Sequence, residues 1–261
     1  MPLAWDAFDA FPLLRWQGPE GIVAAFSTRK GGVSQGGFAA LNLGLTTGDD
    51  RAAVAENRRR LCAAVGADPA RTAQNHQVHG AEVRVAEPLP GGYLDPQGEL
   101  PQADALITRE PELALVALGA DCVPIVIAAL DGSSLAVVHA GWKGLVAGVV
   151  ENAVAALGPG VYAAAVGPCA GPQAYEVGDD VAEQLLERFG ERAASGGTAD
   201  LAACAGVALM QAGLAPDAIE VSGLCTISDP DLFFSHRRDG AGTGRQGVIA
   251  YREEPGEPEP R

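Results

Sequence analysis

The sequence predicts an α/β (α+β) fold, one domain built on a mixed β-sheet with flanking helices, and three observations carry that reading. Hydrophobic residues make up 48% of the 261-residue chain, ample for a substantial core. Short runs rich in Val, Ile and Ala alternate along the chain with longer stretches of helical spacing. Several of the runs end in turns of small residues, as at Gly119-Ala120 and Ala140-Gly141. With neither an internal repeat nor a linker in view, residues 1–251 are expected to form a single domain. The Pro/Glu-rich residues 252–261 read as a disordered tail.

Taken in order, residues 21–26 read as a strand that ends in the loop Ser27-Thr28-Arg29-Lys30-Gly31-Gly32. Asp49 and Asp50 can cap a helix over 51–65. Residues 83–85 and 105–107 read as short strands around the Pro/Gly-rich loop 88–101. The apolar run 113–130 is long enough to suggest a membrane span. Asp121 and Pro124 in its middle and its Val/Ile content point instead to two buried strands joined at a motif. A strand over 135–138 breaks at Gly141 and restarts as a helix over 145–157. A strand over 161–166, helices over 180–189 and 201–211, and strands over 219–221 and 247–251 complete the reading.

The formal net charge of −15 argues against a general nucleic-acid binder. Five scattered cysteines, an odd number, do not make a disulfide framework. The N-terminus lacks a charged-then-apolar leader pattern. A cytoplasmic protein without membrane contacts is expected, and a monomer is compatible with everything in the sequence.

The chain has only four histidines, and two lie beside glycine turns, in Gln77-Val78-His79-Gly80 and Val138-His139-Ala140-Gly141-Trp142-Lys143-Gly144. With Cys122 of Gly119-Ala120-Asp121-Cys122 they make a two-imidazole, one-thiolate set suited to a catalytic zinc. Such remote residues must converge from separate strand ends. A second reading uses Cys122 as nucleophile and His139 as its base, without metal, and Asp121 as the group orienting the histidine. Arg29 and Lys30, Lys143 at a helix start, and Arg237, Arg238 and Arg245 are candidates for an anion site. Cys62, Cys169, Cys204 and Cys225 read as structural, and His76 and His236 as pocket-border or loop residues. Trp142 suits either ring stacking or packing.

These motifs occur in order with Ala103-Asp104-Ala105-Leu106, Gly167-Pro168-Cys169, Tyr175-Glu176-Val177-Gly178, Cys225-Thr226 and Phe233-Phe234-Ser235. Together they resemble the purine nucleoside phosphorylase family long labelled multicopper polyphenol oxidase or laccase-domain proteins. Some bacterial members carry the name peptidoglycan editing factor. The resemblance implies a layered sandwich similar to bacterial toxin deamidases, with zinc held by His79, Cys122 and His139. It implies phosphorolysis of adenosine, inosine, guanosine and S-methyl-5'-thioadenosine, and deamination of adenosine. Asp121, Cys122 and His139 would be catalytic, with Arg29, Lys143 and Glu176 on the substrate and phosphate side. Asp121 or Glu176 would carry protons. Four histidines cannot build an imidazole-rich multicopper cluster, so copper is expected only as an adventitious substitute at the three-ligand site. The kinship with deamidases keeps a metal-free hydrolase or amidase acting on a peptidoglycan precursor as the rival reading.

Overall fold

The computed structural model describes residues 1–6 and 11–254. In chain order its elements are β1 (Leu3–Trp5), β2 (Leu13–Trp16), β3 (Ile22–Ser27), α1 (Arg51–Val65), β4 (Thr72–Gln74), β5 (Val83–Val85) and β6 (Ala105–Thr108). Then come β7 (Ala114–Gly119), β8 (Val123–Ala129), β9 (Leu135–Ala140), α2 (Trp142–Ala147), α3 (Val149–Leu157), β10 (Tyr162–Val166) and α4 (Asp179–Phe189). The chain continues through β11 (Ala194–Ser195), β12 (Thr198–Ala199), α5 (Leu201–Gln211), β13 (Ile219–Val221), α6 (His236–Asp239) and β14 (Gln246–Arg252).

The expected mixed sheet is two mixed sheets of six strands, ordered β1-β2-β3-β14-β7-β4 and β13-β10-β8-β9-β6-β5. They pack face to face as the inner layers of a sandwich. Strand alternation explains this directly, since successive side chains point to opposite faces. On β8, Val126 and Ala128 meet Leu115, Ala117, Val248 and Ala250 of the other sheet. Ile125 and Ile127 on the same strand face the other way, onto α3 and α5 through Val150, Ala153 and Ala205. The outer face of the first sheet is covered by α1, whose Leu61, Cys62 and Val65 pack on Val116, Leu118 and Ile249.

Helix α1 has the predicted bounds. Asp50 accepts from the Ala53 N–H at 2.8 Å, and Gly66 closes the helix in the left-handed conformation at φ 81°. The helix expected over 145–157 differs. It begins earlier, at Trp142, and Gly148 at φ 87° splits it into α2 and α3. The predicted strands and other helices are present within a residue or two, whereas β1, β2, β4, β11, β12 and α6 were not anticipated. The start of the expected tail is ordered: Arg252 ends β14 and the Glu253 N–H donates to the Gly21 carbonyl. Residues 255–261 lie outside the described residues. No helix among the described residues is long and apolar enough to cross a membrane.

The sheet topology places the site. The chain passes from β4 in one sheet to β5 in the other through residues 75–82, and from β7 to β8 through 120–122. Both crossovers carry a residue of the predicted set, so the set gathers where the two sheets part.

Candidate functional site

His79, Cys122 and His139 do converge. One candidate ligand atom from each lies within 4.8 Å of the others, and the two imidazole rings meet edge to face with centroids 4.9 Å apart. Cys122 directly precedes β8, and His139 on β9 is paired with Pro124 across the ladder, so sheet register alone puts thiol and imidazole side by side. His79 arrives on the other crossover, and its loop is pinned at both ends. The Gln77 amide donates to the Leu118 carbonyl at 2.6 Å and accepts from the Leu118 N–H at 2.8 Å, which extends the β7 ladder beyond the end of β4. Next, the N–H groups of Val78, His79 and Gly80 all donate to the buried Asp104 carboxylate, at 3.2, 2.9 and 2.7 Å.

Two non-glycine residues here hold left-handed backbone, His79 at φ 61° and Asp121 at φ 99°. Such conformations cost of order 1–3 kcal/mol each and persist where surroundings impose them. For Asp121 the imposing contacts are the Thr226 hydroxyl and the Arg237 N–H, each donating to one carboxylate oxygen at 2.7 Å. Small residues clear the space. A Cβ on Gly141 would stand 3.0 Å from both the Cys122 Sγ and the His79 Cδ2, and one on Gly144 2.9 Å from the Gly80 carbonyl oxygen.

The His139 partner is Asp104, not Asp121. Its Nδ1 lies 2.8 Å from the Asp104 Oδ1, which leaves Nε2 as the ring's ligand atom. Burial works against the charge on Asp104, yet its bonds to His139, Gly80 and His79 hold the carboxyl below its ordinary value. Burial likewise pushes the Cys122 thiol up, but the His139 charge and the hydrogen bonds of both histidines outweigh it and bring the thiol down to about 6. Conversely, burial pulls His139 down while Cys122 and Asp104 raise it to about 9. The pair is therefore a thiolate beside an imidazolium until something displaces the proton.

The three donors open on a cleft of about 660 Å³. Lys143, Arg237, Arg245 and the buried Arg58 line it, and Asp121 is the one carboxylate in its wall among the described residues. Among the described residues none of these four cations pairs with a carboxylate. Arg237 stacks on Tyr175, 4.7 Å from the ring centre, and donates to the Glu176 carbonyl. Burial lowers Arg245, against the opposing pull of Cys122 and Asp121. Arg58 donates to the Leu43 and Tyr93 carbonyls and to Gln74 Oε1.

Of the expected substrate residues, only Lys143 lines the cleft. Arg29 lies outside it; its guanidinium donates to the Ala39 carbonyl at 2.8 Å and the Pro230 carbonyl at 3.0 Å, above the Phe234 ring. Glu176 is also outside the lining, in a bridge with Thr198. Arg238 is spent on Asp239 and three carbonyls. His76 and His236 border the cleft, as does Trp142. Two residues went unread. Asp104 stands out only as a charge opening an apolar strand. Arg58 stands in phase with Val54, Leu61 and Val65 on the buried face of α1, which was the available signal.

Fold and site thus define a four-layer α/β protein with a three-donor centre at the seam of two sheets and a cationic cleft beside it. The profile of the family described as multi-copper polyphenol oxidoreductase laccase matches residues 23–253. A Xylella fastidiosa (strain Temecula1) protein named purine nucleoside phosphorylase is 44% identical, over 90% of this chain and 94% of its own length. The Geobacillus stearothermophilus protein named purine nucleoside phosphorylase YlmD is 37% identical, over 90% and 92%. The crystal structure of YlmD from that organism superposes with a TM-score of 0.85 at 33% identity, covering 97% of this chain and 100% of that one. The crystal structure of a Bacillus licheniformis hypothetical protein, YfiH, gives 0.87 at 28%, covering 95% and 99%. The chain belongs to this laccase-domain family.

Proposed function

We propose that the protein is a zinc-dependent purine nucleoside phosphorylase that takes adenosine, inosine, guanosine and S-methyl-5'-thioadenosine, with adenosine deamination as a side activity in the cytoplasm. The observation that carries this is the junction of a two-imidazole, one-thiolate donor set with a cleft lined by four cations, none of which pairs with a carboxylate among the described residues. The names of the relatives support the same reaction.

The donor set suits the ion. His79, Cys122 and His139 would hold it through two nitrogens and one sulfur that lie within 4.8 Å of one another. Thiolate with imidazole favours zinc, and copper competes for the same donors. When bound, the ion supplies Lewis acidity beside the substrate. The rest falls to the chain. Lys143 and Arg245 offer charge and free N–H groups to phosphate, orienting it toward the sugar C1′. The Trp142 ring offers an apolar face to the purine. Each Asp121 oxygen has accepted one hydrogen bond and retains a second lone pair, so Asp121 is the proton carrier we assign.

Purified protein given adenosine and phosphate should yield adenine and ribose 1-phosphate in proportion to its zinc content. Zinc-loaded protein that releases no free base overturns the proposal. Arg245→Ala is expected to raise the KM for phosphate about tenfold or more, the loss of one charge-assisted contact. Arg29→Ala should instead cost about 2 kcal/mol of stability through two carbonyl bonds and a ring contact, with KM for phosphate unchanged. The reverse pattern in steady-state kinetics and thermal melts would place phosphate elsewhere.

Zinc binding should also depend on pH in a specific way. Below about 6 both Cys122 and His139 must lose a proton to bind; between about 6 and 9 only His139 must. Affinity from this pair therefore rises about tenfold per pH unit across that upper window and levels off above it. Calorimetry in buffers of different ionisation enthalpy counts the protons, and none released near pH 8 would contradict the assignment.

The thiolate–imidazolium pair backed by Asp104 favours one rival, a metal-free cysteine hydrolase or amidase acting on a peptidoglycan precursor. Activity of that kind would survive chelators, and phosphorolysis would not.

A further inference from the structure

We infer that Asp104 is the positioning residue of the site, holding His79 and His139 in ligand geometry before any ion arrives. The inference rests on the ion-binding reading of the three donors and is independent of which substrate occupies the cleft.

The Asp104 side chain is fully buried. Its Oδ2 accepts from Val78 N and Gly80 N, and its Oδ1 from His79 N and the His139 ring. Four hydrogen bonds use all four lone-pair sites of a carboxylate. Three successive N–H groups can aim at one anion only if the chain turns sharply among them, and the turn is the left-handed His79 at φ 61°. The carboxylate thus stabilises a conformation that histidine otherwise avoids. The same oxygen that accepts the His79 N–H fixes the ring of His139. A further bond, from the His139 N–H to the Asp104 carbonyl at 2.8 Å, sets the strand that bears it. Two of the three ligands, one in the β4–β5 crossover and one on β9, are therefore registered against one another through a single side chain.

An amide cannot do this. In Asp104→Asn one acceptor oxygen becomes an NH2 that confronts either Val78 and Gly80 or His79 and His139, donor against donor. The expected result is a 10- to 100-fold loss of zinc affinity by chelator competition. With cobalt as the probe, the thiolate-to-metal absorption should weaken and shift. Val154→Ala, a truncation on the buried face of α3 outside the cleft lining, serves as the destabilised control and should bind zinc as the wild type does. Hydrogen exchange on the chelator-treated wild-type chain gives a second reading that needs no variant. The His79 and Gly80 amides should be protected without metal, and in Asp104→Asn they should exchange at least tenfold faster. Zinc affinity within threefold of wild type in Asp104→Asn, or freely exchanging His79 and Gly80 amides in the wild-type chain, overturns the inference. A wild-type chain that shows the amide protection but takes up no zinc would sink the metal reading while leaving the role of Asp104 in shaping the loop intact.

Discussion

Cys122→Ala is expected to lose its bound ion on dialysis and to release no detectable adenine from adenosine and phosphate. The sulfur is the only thiolate of the set, and it lies beside two imidazoles, one on β9 and one in the crossover between the sheets. Zinc sites of four protein ligands bind with about 10–16 kcal/mol, so one donor accounts for about 3 kcal/mol, more than a hundredfold in affinity. The fold should survive, because Cys122 is outside the packed clusters and its neighbours Val123 and Ile125 keep theirs. Elemental analysis and product chromatography on the same sample check both halves. Chelated wild-type protein should match the variant, and added zinc should restore the wild type alone. A variant that retains both metal and turnover would remove the three-donor centre from the chemistry.

Gly141→Ala separates the site from the fold more sharply. Gly141 has φ −75° and ψ 168°, backbone that any residue can adopt, so no conformational strain accompanies the change. The added methyl would nonetheless stand 3.0 Å from the Cys122 sulfur and from the His79 ring carbon. Both must retreat by several tenths of an ångström, whereas metal–ligand distances tolerate only about 0.2 Å. Zinc affinity and turnover should fall about 100-fold together, with stability within about 1 kcal/mol of the parent. Thermal denaturation and chelator competition measure the two. Unchanged zinc affinity would mean that the donors close around the ion by a different route.

Much of this site is legible along the chain because metal chemistry restricts residue types. Two histidines and a cysteine next to small-residue turns stand out when the chain has four histidines in all. The cationic wall of the cleft is less legible, since a cation reads the same whether it faces a cleft or a carbonyl. Arg29 and Arg245 both stand near glycines and each donates to two carbonyls, yet Arg29 lies outside the cleft while Arg245 reaches its wall. The Asp104 motif shows no role along the chain because its four partners come from residues 78–80 and 139.

The order of elements was likewise readable from local rules: α1 from its Asp50 cap and Gly66 terminus, β7 and β8 from the Val/Ile-rich apolar runs on either side of Asp121. That β7 and β8 belong to different sheets was not, because strands buried on both faces look alike whichever neighbour they pair with. Composition and motif therefore determined the donor types, the longer helices and most of the strands, each of which depends on neighbours a few residues away. Only the tertiary structure decided that two crossovers meet at one seam, that Asp104 rather than Asp121 holds His139, and which arginines face the cleft. Those outcomes follow from sheet pairing and burial, which join residues far apart in the chain and leave no mark in local spacing.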